Sequence, residues 1–95
     1  MQIKDIIWLP DIIDKLDWKH QIVPEEIEQV FDSRPMFRRI ERGKVRGEDL
    51  YAALGQTDTG RYLIVFFIHK TSGEALVISA RDMEHKDRRQ YERKK

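Results

Sequence analysis

The sequence predicts an α+β domain in which helices cover an antiparallel sheet. Two segments with helix-start signals occupy the first third of the chain, and a run of aromatic and β-branched residues between turn-forming loops follows. The last residues are charged and again have a helical pattern. A chain of 95 residues has room for one core, so we expect residues 1–95 to form a single domain.

The first third is predicted to contain a short strand and two helices. Residues 3–9 are mostly apolar and are typical of a strand that ends at Pro10. Pro10 and Pro24 each suit the first turn of a helix, where the missing N–H of proline costs nothing. The acids that follow Pro24 favour a helix start because they oppose the helix dipole. The second helix is predicted to end before Pro35.

The remaining chain is predicted to form four strands in a meander and a final helix. The strands are expected at residues 36–42, 49–54, 61–69 and 74–80. Residues 61–69 are too apolar on both faces for an edge strand, so we expect them inside the sheet. The predicted architecture is an N-terminal strand, two helices, a four-stranded antiparallel sheet and a C-terminal helix.

Charge is distributed unevenly along the chain, although the net charge is only +1. Residues 1–33 carry three Lys against eight Asp or Glu, whereas residues 34–46 carry six Arg or Lys against Glu41 alone. The basic segment indicates a surface for a polyanion. Pairing between the acidic and basic elements of the chain itself is an equally good explanation at this point.

Several kinds of chemistry are excluded by composition and spacing. The chain has no Cys, which rules out disulfides, thiolate catalysis and thiolate metal sites. The three His occupy different predicted elements, and no glycine motif opens a helix as phosphate-binding loops do. We therefore expect no metal and no cofactor. No apolar run approaches the roughly 20 residues of a membrane span, so a cytoplasmic protein without membrane contact is expected.

One set of polar residues could carry chemistry without a metal. Arg61 opens the predicted central strand and Arg81 closes its partner, so antiparallel pairing puts both at the same end of the sheet. His85, Arg88 and Tyr91 lie on the helix that begins there. Two guanidiniums converging on a phosphodiester would stabilise its pentacovalent transition state. A structural salt bridge is the competing interpretation for each arginine, and a core position is the competing one for Tyr91.

Three motifs in order, with characteristic spacing, connect these residues to a known family. The motifs are Trp8 with Lys19-His20 and Pro24-Glu25-Glu26, then Gly60-Arg61-Tyr62-Leu63, then Ile78-Ser79-Ala80-Arg81-Asp82-Met83 with Asp87-Arg88 and Tyr91-Glu92. Over nearly its whole length the chain resembles the BrnT family of ribonuclease toxins from type II toxin–antitoxin systems. The resemblance implies a RelE-like fold and metal-independent RNA cleavage. It also implies neutralisation by a BrnA-like, DNA-binding antitoxin, with which the toxin can form a higher-order complex.

Analogy with metal-independent ribonucleases gives the candidate residues their roles. Arg61 and Arg81 would hold the phosphate charge, with Arg88 as a further catalytic candidate. His20, His85 and Tyr91 are the candidates for proton transfer from the ribose 2′-hydroxyl, which DNA lacks. His20 is also compatible with a half-buried structural role on the apolar face of its helix. The RNA-binding candidates are Lys19, Arg38, Arg39 and Arg42.

Several positions depart from the pattern of the family. Family members usually carry polar residues where this chain has Leu9, Ile12 and Leu16, an arginine where it has Leu50, and a glycine at Gln21. The apolar replacements favour a better core but remove polar groups. They leave an alternative function open, namely a catalytically inactive relative that keeps its affinity for the antitoxin or for RNA.

Overall fold

A computed structural model describes residues 1–94 of the chain. The elements in chain order are β1 (Ile6–Ile7), α1 (Pro10–His20), α2 (Pro24–Asp32), β2 (Met36–Glu41), β3 (Leu50–Gln56), β4 (Tyr62–His69), β5 (Ala75–Asp82) and α3 (His85–Lys94). The predicted α+β class and the predicted order of helices and strands are confirmed.

Within the described residues the sheet has five strands, in the order β1-β5-β4-β3-β2. β1 pairs with β5 in parallel, whereas the other neighbours are antiparallel. The prediction of a four-stranded, wholly antiparallel sheet was therefore wrong in this respect. The strand expected at residues 3–9 shortens to two residues, Ile6 and Ile7, which lie beside Ala75 and Leu76. β4 lies between β3 and β5, as its two apolar faces predicted.

The two faces of β4 belong to different layers of the core. One face carries Leu63, Val65 and Phe67, and the other carries Tyr62, Ile64 and Phe66. The first face packs against α1 and α2 through Leu16, Ile27 and Val30. The second packs against α3 through Tyr91. Successive side chains of this strand thus point to opposite layers, and both of its faces are apolar as predicted.

Both N-terminal helices begin at the predicted prolines, Pro10 and Pro24. α2 comes so close to β3 that a side chain at Gly55 would meet the Ser33 hydroxyl at 2.7 Å and a Val30 methyl at 3.2 Å. Glycine at this position therefore lets the helix lie directly on the sheet. None of the helices among residues 1–94 is long and apolar enough to cross a membrane.

Candidate functional site

Arg61 and Arg81 lie at the same end of the sheet, as predicted. β4 begins and β5 ends there, with Leu63 paired to Asp82 and Ile64 paired to Arg81. α3 begins immediately afterwards, at His85. This end of the sheet therefore gathers most of the polar residues that the sequence singled out.

The prediction that the two guanidiniums converge on one phosphate was wrong, because their side chains lie on opposite faces of the sheet. Arg61 contacts α1 and α2, whereas Arg81 contacts α3. The cause is a β-bulge: Phe67 pairs with Val77 but Phe66 pairs with Ser79. The extra residue moves every later side chain of β5 to the other face. Without it, Arg81 would stand beside Leu63, on the face of Arg61.

Arg61 joins the ends of three elements. Its Nε donates to Asp82 Oδ1 at 2.8 Å, and its Nη1 donates to the Gln21 carbonyl at 2.7 Å and to Glu26 at 3.3 Å. Its Nη2 donates to the His20 carbonyl at 2.8 Å and to Asp82 Oδ2 at 3.2 Å. Both carbonyls lie at the end of α1, where helical carbonyls lack intrahelical donors. The five N–H groups of the guanidinium thus have protein acceptors.

His20 accompanies Arg61 and not Arg81. It is half-buried and lines a small groove between α1 and β5 with Lys19 and Ser79. Hydrogen bonds from Arg61 lower the pKa of Asp82, and its electrostatic interaction with nearby His20 acts in the same direction. The face toward α1 and α2 therefore holds a network of charges that pair with one another.

Arg81 has a different environment. Its Nη1 donates to Asp87 Oδ2 at 2.9 Å and to the Asp82 carbonyl at 3.0 Å, and its guanidinium lies 5.7 Å from the Phe66 ring centre. Nη2 is 3.7 Å from the Glu84 carboxylate, beyond hydrogen-bond distance, and neither Nη2 nor Nε donates to any residue in 1–94. With 32% of its side chain exposed, Arg81 is hydrogen-bonded through Nη1, while Nη2 has only the long ion pair with exposed Glu84 and can donate to a ligand.

Asp87 holds Arg81 in place. Asp87 is only 2% exposed, and its carboxylate accepts hydrogen bonds from Arg81 and from the backbone N–H of Glu84, both at 2.9 Å. Burial opposes ionisation of this group, but the two hydrogen bonds outweigh it and lower its pKa. Asp87 belongs to the family motif named above, but it was not among the predicted catalytic residues. Its position four residues before the buried Tyr91, on the same helix face, was the available signal.

Acid is expected to destabilise the fold through these two clusters. Asp82 and Asp87 both have a pKa below the ordinary 3.8, so their stabilising effect is present above the unfolded pKa and is lost as pH falls through the folded one. We expect the melting temperature to fall below about pH 4, and to fall less steeply in Asp87→Asn. Asp17→Asn, at an exposed position, is the control. Identical pH profiles for wild type and Asp87→Asn would contradict this expectation.

The other catalytic candidates on α3 occupy three kinds of environment. Arg88 lies 3.8 Å above the ring centre of Tyr62 and donates to Glu92 at 2.9 Å. Tyr91 is 5% exposed and packs its ring 6.1 Å from that of Tyr62, so it is part of the core. His85 is exposed at the first position of the helix.

The structure places the RNA-binding candidates on different parts of the molecule. Arg38 donates a hydrogen bond to a side chain of α3, whereas Arg39 points to the other face and lies 3.7 Å from Asp49. Successive residues of a strand face opposite sides. Arg42 is exposed in the loop after β2. Lys19 lies across the molecule, because α1 packs on β5 and β2 forms the opposite edge of the sheet.

The apolar departures from the family pattern lie mainly in the core. Leu16 is 3% exposed and Ile12 packs beside it, on the face away from Arg81. Leu50 pairs with Ile68 and is half-buried on the face of Arg81. Only this last position could have contributed a polar group to the α3 side of the sheet. Among residues 1–94 no group of three or more His, Asp or Glu side chains is arranged to hold a metal ion.

Comparison with known proteins identifies the family. The sequence model described as a ribonuclease toxin, BrnT, of type II toxin–antitoxin systems matches residues 14–87. The matched range includes Arg61, Arg81 and Asp87, together with His20. A search of curated proteins gives no match. Since the family model covers well over half of the sequence, the chain belongs to the BrnT family of ribonuclease toxins of type II toxin–antitoxin systems.

Proposed function

We propose that this chain cleaves RNA without a metal ion, and that Arg81 holds the reacting phosphate on the α3 side of the sheet. The observation that supports the proposal is the hydrogen bonding of the Arg81 guanidinium, which is held at one nitrogen only. Buried Asp87 fixes Nη1 at 2.9 Å, while Nε and Nη2 donate to no residue in the described part of the chain. A charged donor that is held in place before the substrate binds stabilises the negative charge that develops on the phosphate.

The surroundings of Arg81 suit a single-stranded substrate. The half-buried Phe66 ring lies beside the guanidinium, and aromatic rings next to basic side chains accept the unstacked bases of single-stranded RNA. Arg61, in contrast, already has acceptors for its N–H groups. We therefore assign Arg61 to the structure and Arg81 to the phosphate.

The proposed reaction is attack of the ribose 2′-oxygen on the adjacent phosphorus. A base removes the 2′-hydroxyl proton, the O2′–P bond forms and the P–O5′ bond breaks. The products are a 2′,3′-cyclic phosphate and a 5′-hydroxyl, whose oxygen takes up a proton. His85 is the preferred base, because it follows Glu84, whose carboxylate lies 3.7 Å from Arg81. His20 lies on the other face, and Tyr91 is buried.

The partner that a type II toxin requires is an antitoxin. We propose that it is a BrnA-like, DNA-binding protein that neutralises the toxin by binding it, in a complex that can contain several copies of each. The RelE-like character of the fold, expected from the resemblance, is part of the same proposal. Its support is the family membership.

Cleavage is expected to persist in EDTA. Purified protein should cut single-stranded RNA equally well with and without the chelator, and it should leave the corresponding DNA intact, since DNA has no 2′-hydroxyl. The products should carry 2′,3′-cyclic phosphate ends, which mass spectrometry distinguishes from 3′-hydroxyl ends. Activity that is lost in EDTA and restored by Mg²⁺ would contradict the metal-independent mechanism.

A second function is favoured by one observation. Leu50 lies on the Arg81 side of the sheet at a position where family members usually carry an arginine, so one cation of the family site is missing. The alternative is a toxin relative that binds its antitoxin or RNA without cleaving. Native protein that cuts no RNA, with or without ribosomes, yet binds the antitoxin encoded beside it would establish this alternative.

A further inference from the structure

An open groove between β2 and α3 is lined by basic side chains, of which only Arg38 belongs to a predicted site. Its polar lining consists mainly of Arg38 from β2 and Lys86, Arg89, Gln90 and Arg93 from α3. We call it the cationic groove. Arg38 donates a hydrogen bond to Gln90 across it, which links the edge strand to the helix and fixes one wall relative to the other.

Three of the four cations of the groove form no ion pair with the acids beside them, whereas Arg38 interacts electrostatically with Asp87. Asp87 and Glu92 also line the groove, but Asp87 is bound to Arg81 and Glu92 to Arg88. Lys86, Arg89 and Arg93 are exposed and form no ion pair with any of residues 1–94. The groove therefore has an excess of positive charge, with four cations against two acids, and such an excess attracts ligands of the opposite sign.

Stability of the helix does not explain this arrangement. Arg93, in the last turn of α3, is favoured by the helix dipole, but Lys86 lies in the first turn, where a positive charge is unfavourable. Arg89 and Arg93 are four residues apart on one helix face, a spacing at which like charges repel. Arg38 comes from another element altogether. The convergence of these side chains therefore indicates a ligand.

We propose that the cationic groove binds the phosphate backbone of single-stranded RNA next to the cleavage position, an inference that rests on the function proposed above. One face of α3 carries Lys86, Arg89 and Arg93, which together span about 10 Å at the helical rise of 1.5 Å per residue. Such a stripe can contact successive phosphates, while Arg38 faces them from the opposite wall. Such phosphate contacts position the strand and do not recognise its base sequence.

Asp87 connects the groove to the candidate reaction centre. Its carboxylate forms part of the groove wall and at the same time holds Arg81. Arg81 does not itself line the groove, but it is bound to Asp87, which does; in our proposal a strand along α3 reaches Arg81 at this point. The groove binds the substrate backbone, and Arg81 meets the phosphate that reacts.

The test is the salt dependence of binding to an RNA that cannot be cut. A twelve-nucleotide 2′-O-methyl oligouridine lacks the nucleophilic hydroxyl, so binding is measured apart from cleavage. For single strands the slope of log K against log salt is about −0.7 per neutralised phosphate. Arg89→Gln/Arg93→Gln is expected to weaken binding and to make the slope less steep by about 1.4. Lys44→Gln/Arg46→Gln, with the same charge change at exposed positions in the loop after β2, is the matched comparison and should change the slope less.

The outcomes separate this inference from the proposed function. If wild type and Arg89→Gln/Arg93→Gln, the α3 variant, show equal salt slopes, the proposal that the groove binds RNA is wrong. This holds even where the wild type cleaves unmodified RNA. A larger effect of the loop variant also overturns it. The groove would likewise be wrong if the α3 substitutions weakened binding of a polyglutamate peptide and left RNA binding unchanged. If the wild type cuts no RNA but the salt slope of the α3 variant is less steep by the expected amount, RNA binding in the groove is supported. The proposed ribonuclease function is then wrong.

Discussion

Substitution of Arg81 by alanine is expected to lower the rate of RNA cleavage by a factor on the order of 10²–10³, the usual effect of removing one preorganised donor to a developing charge. The loss should fall on kcat more than on RNA affinity, because the phosphate gains charge in the transition state. Arg34→Asn is the matched control. Arg34 is exposed and has a positive φ of 57°, a conformation that Asn tolerates.

Arg81→Ala leaves the buried Asp87 carboxylate without its guanidinium, so a second variant is needed to separate folding from catalysis. Arg81→Lys keeps a positive charge for Asp87 but lacks the additional N–H groups that face solvent. We expect Arg81→Lys to melt near the wild-type temperature and still to lose most of the cleavage rate. A wild-type kcat in Arg81→Lys would show that a positive charge alone is sufficient for cleavage. A wild-type kcat in folded Arg81→Ala would show that Arg81 has no catalytic role.

Substitution of Arg61 by alanine is expected to reduce stability more than catalysis. The side chain is 26% exposed and holds two carboxylates and two backbone carbonyls. Its removal leaves partly buried acceptors unpaired, for which we expect a loss of about 2–3 kcal/mol in the free energy of unfolding. Denaturant titration measures this directly.

Arg39→Ala is the stability control for Arg61→Ala. Arg39 is 54% exposed and its contact with Asp49 is 3.7 Å long, so its loss should cost less than about 1 kcal/mol. Below its melting temperature, folded Arg61→Ala should retain most of its cleavage rate. Unchanged stability with abolished cleavage would restore the catalytic role that the sequence suggested for Arg61.

The pattern of single elements was enough to predict much of the fold. Prolines at the starts of α1 and α2, the apolar run of β4 and the turn residues around it are local signals, and the structure confirms the elements they predict. The pairing of β1 was not predictable in the same way. Two residues beside β5 are too few to produce a periodic signal, and the partner lies almost seventy positions later in the chain.

The placement of Arg61 and Arg81 at one end of the sheet was determined by the sequence, since a hairpin brings the start of one strand beside the end of the next. Their separation onto opposite faces was decided only by the tertiary structure. A single extra residue in β5, between the partners of Phe67 and Phe66, reverses the direction of every later side chain. As a result the Arg81 side chain lies away from the network of Arg61 and is bound instead to Asp87, a residue of the cationic groove. Side-chain alternation has a period of two, so a shift of one residue, invisible in composition or motif spacing, determines which of the two faces carries the open arginine.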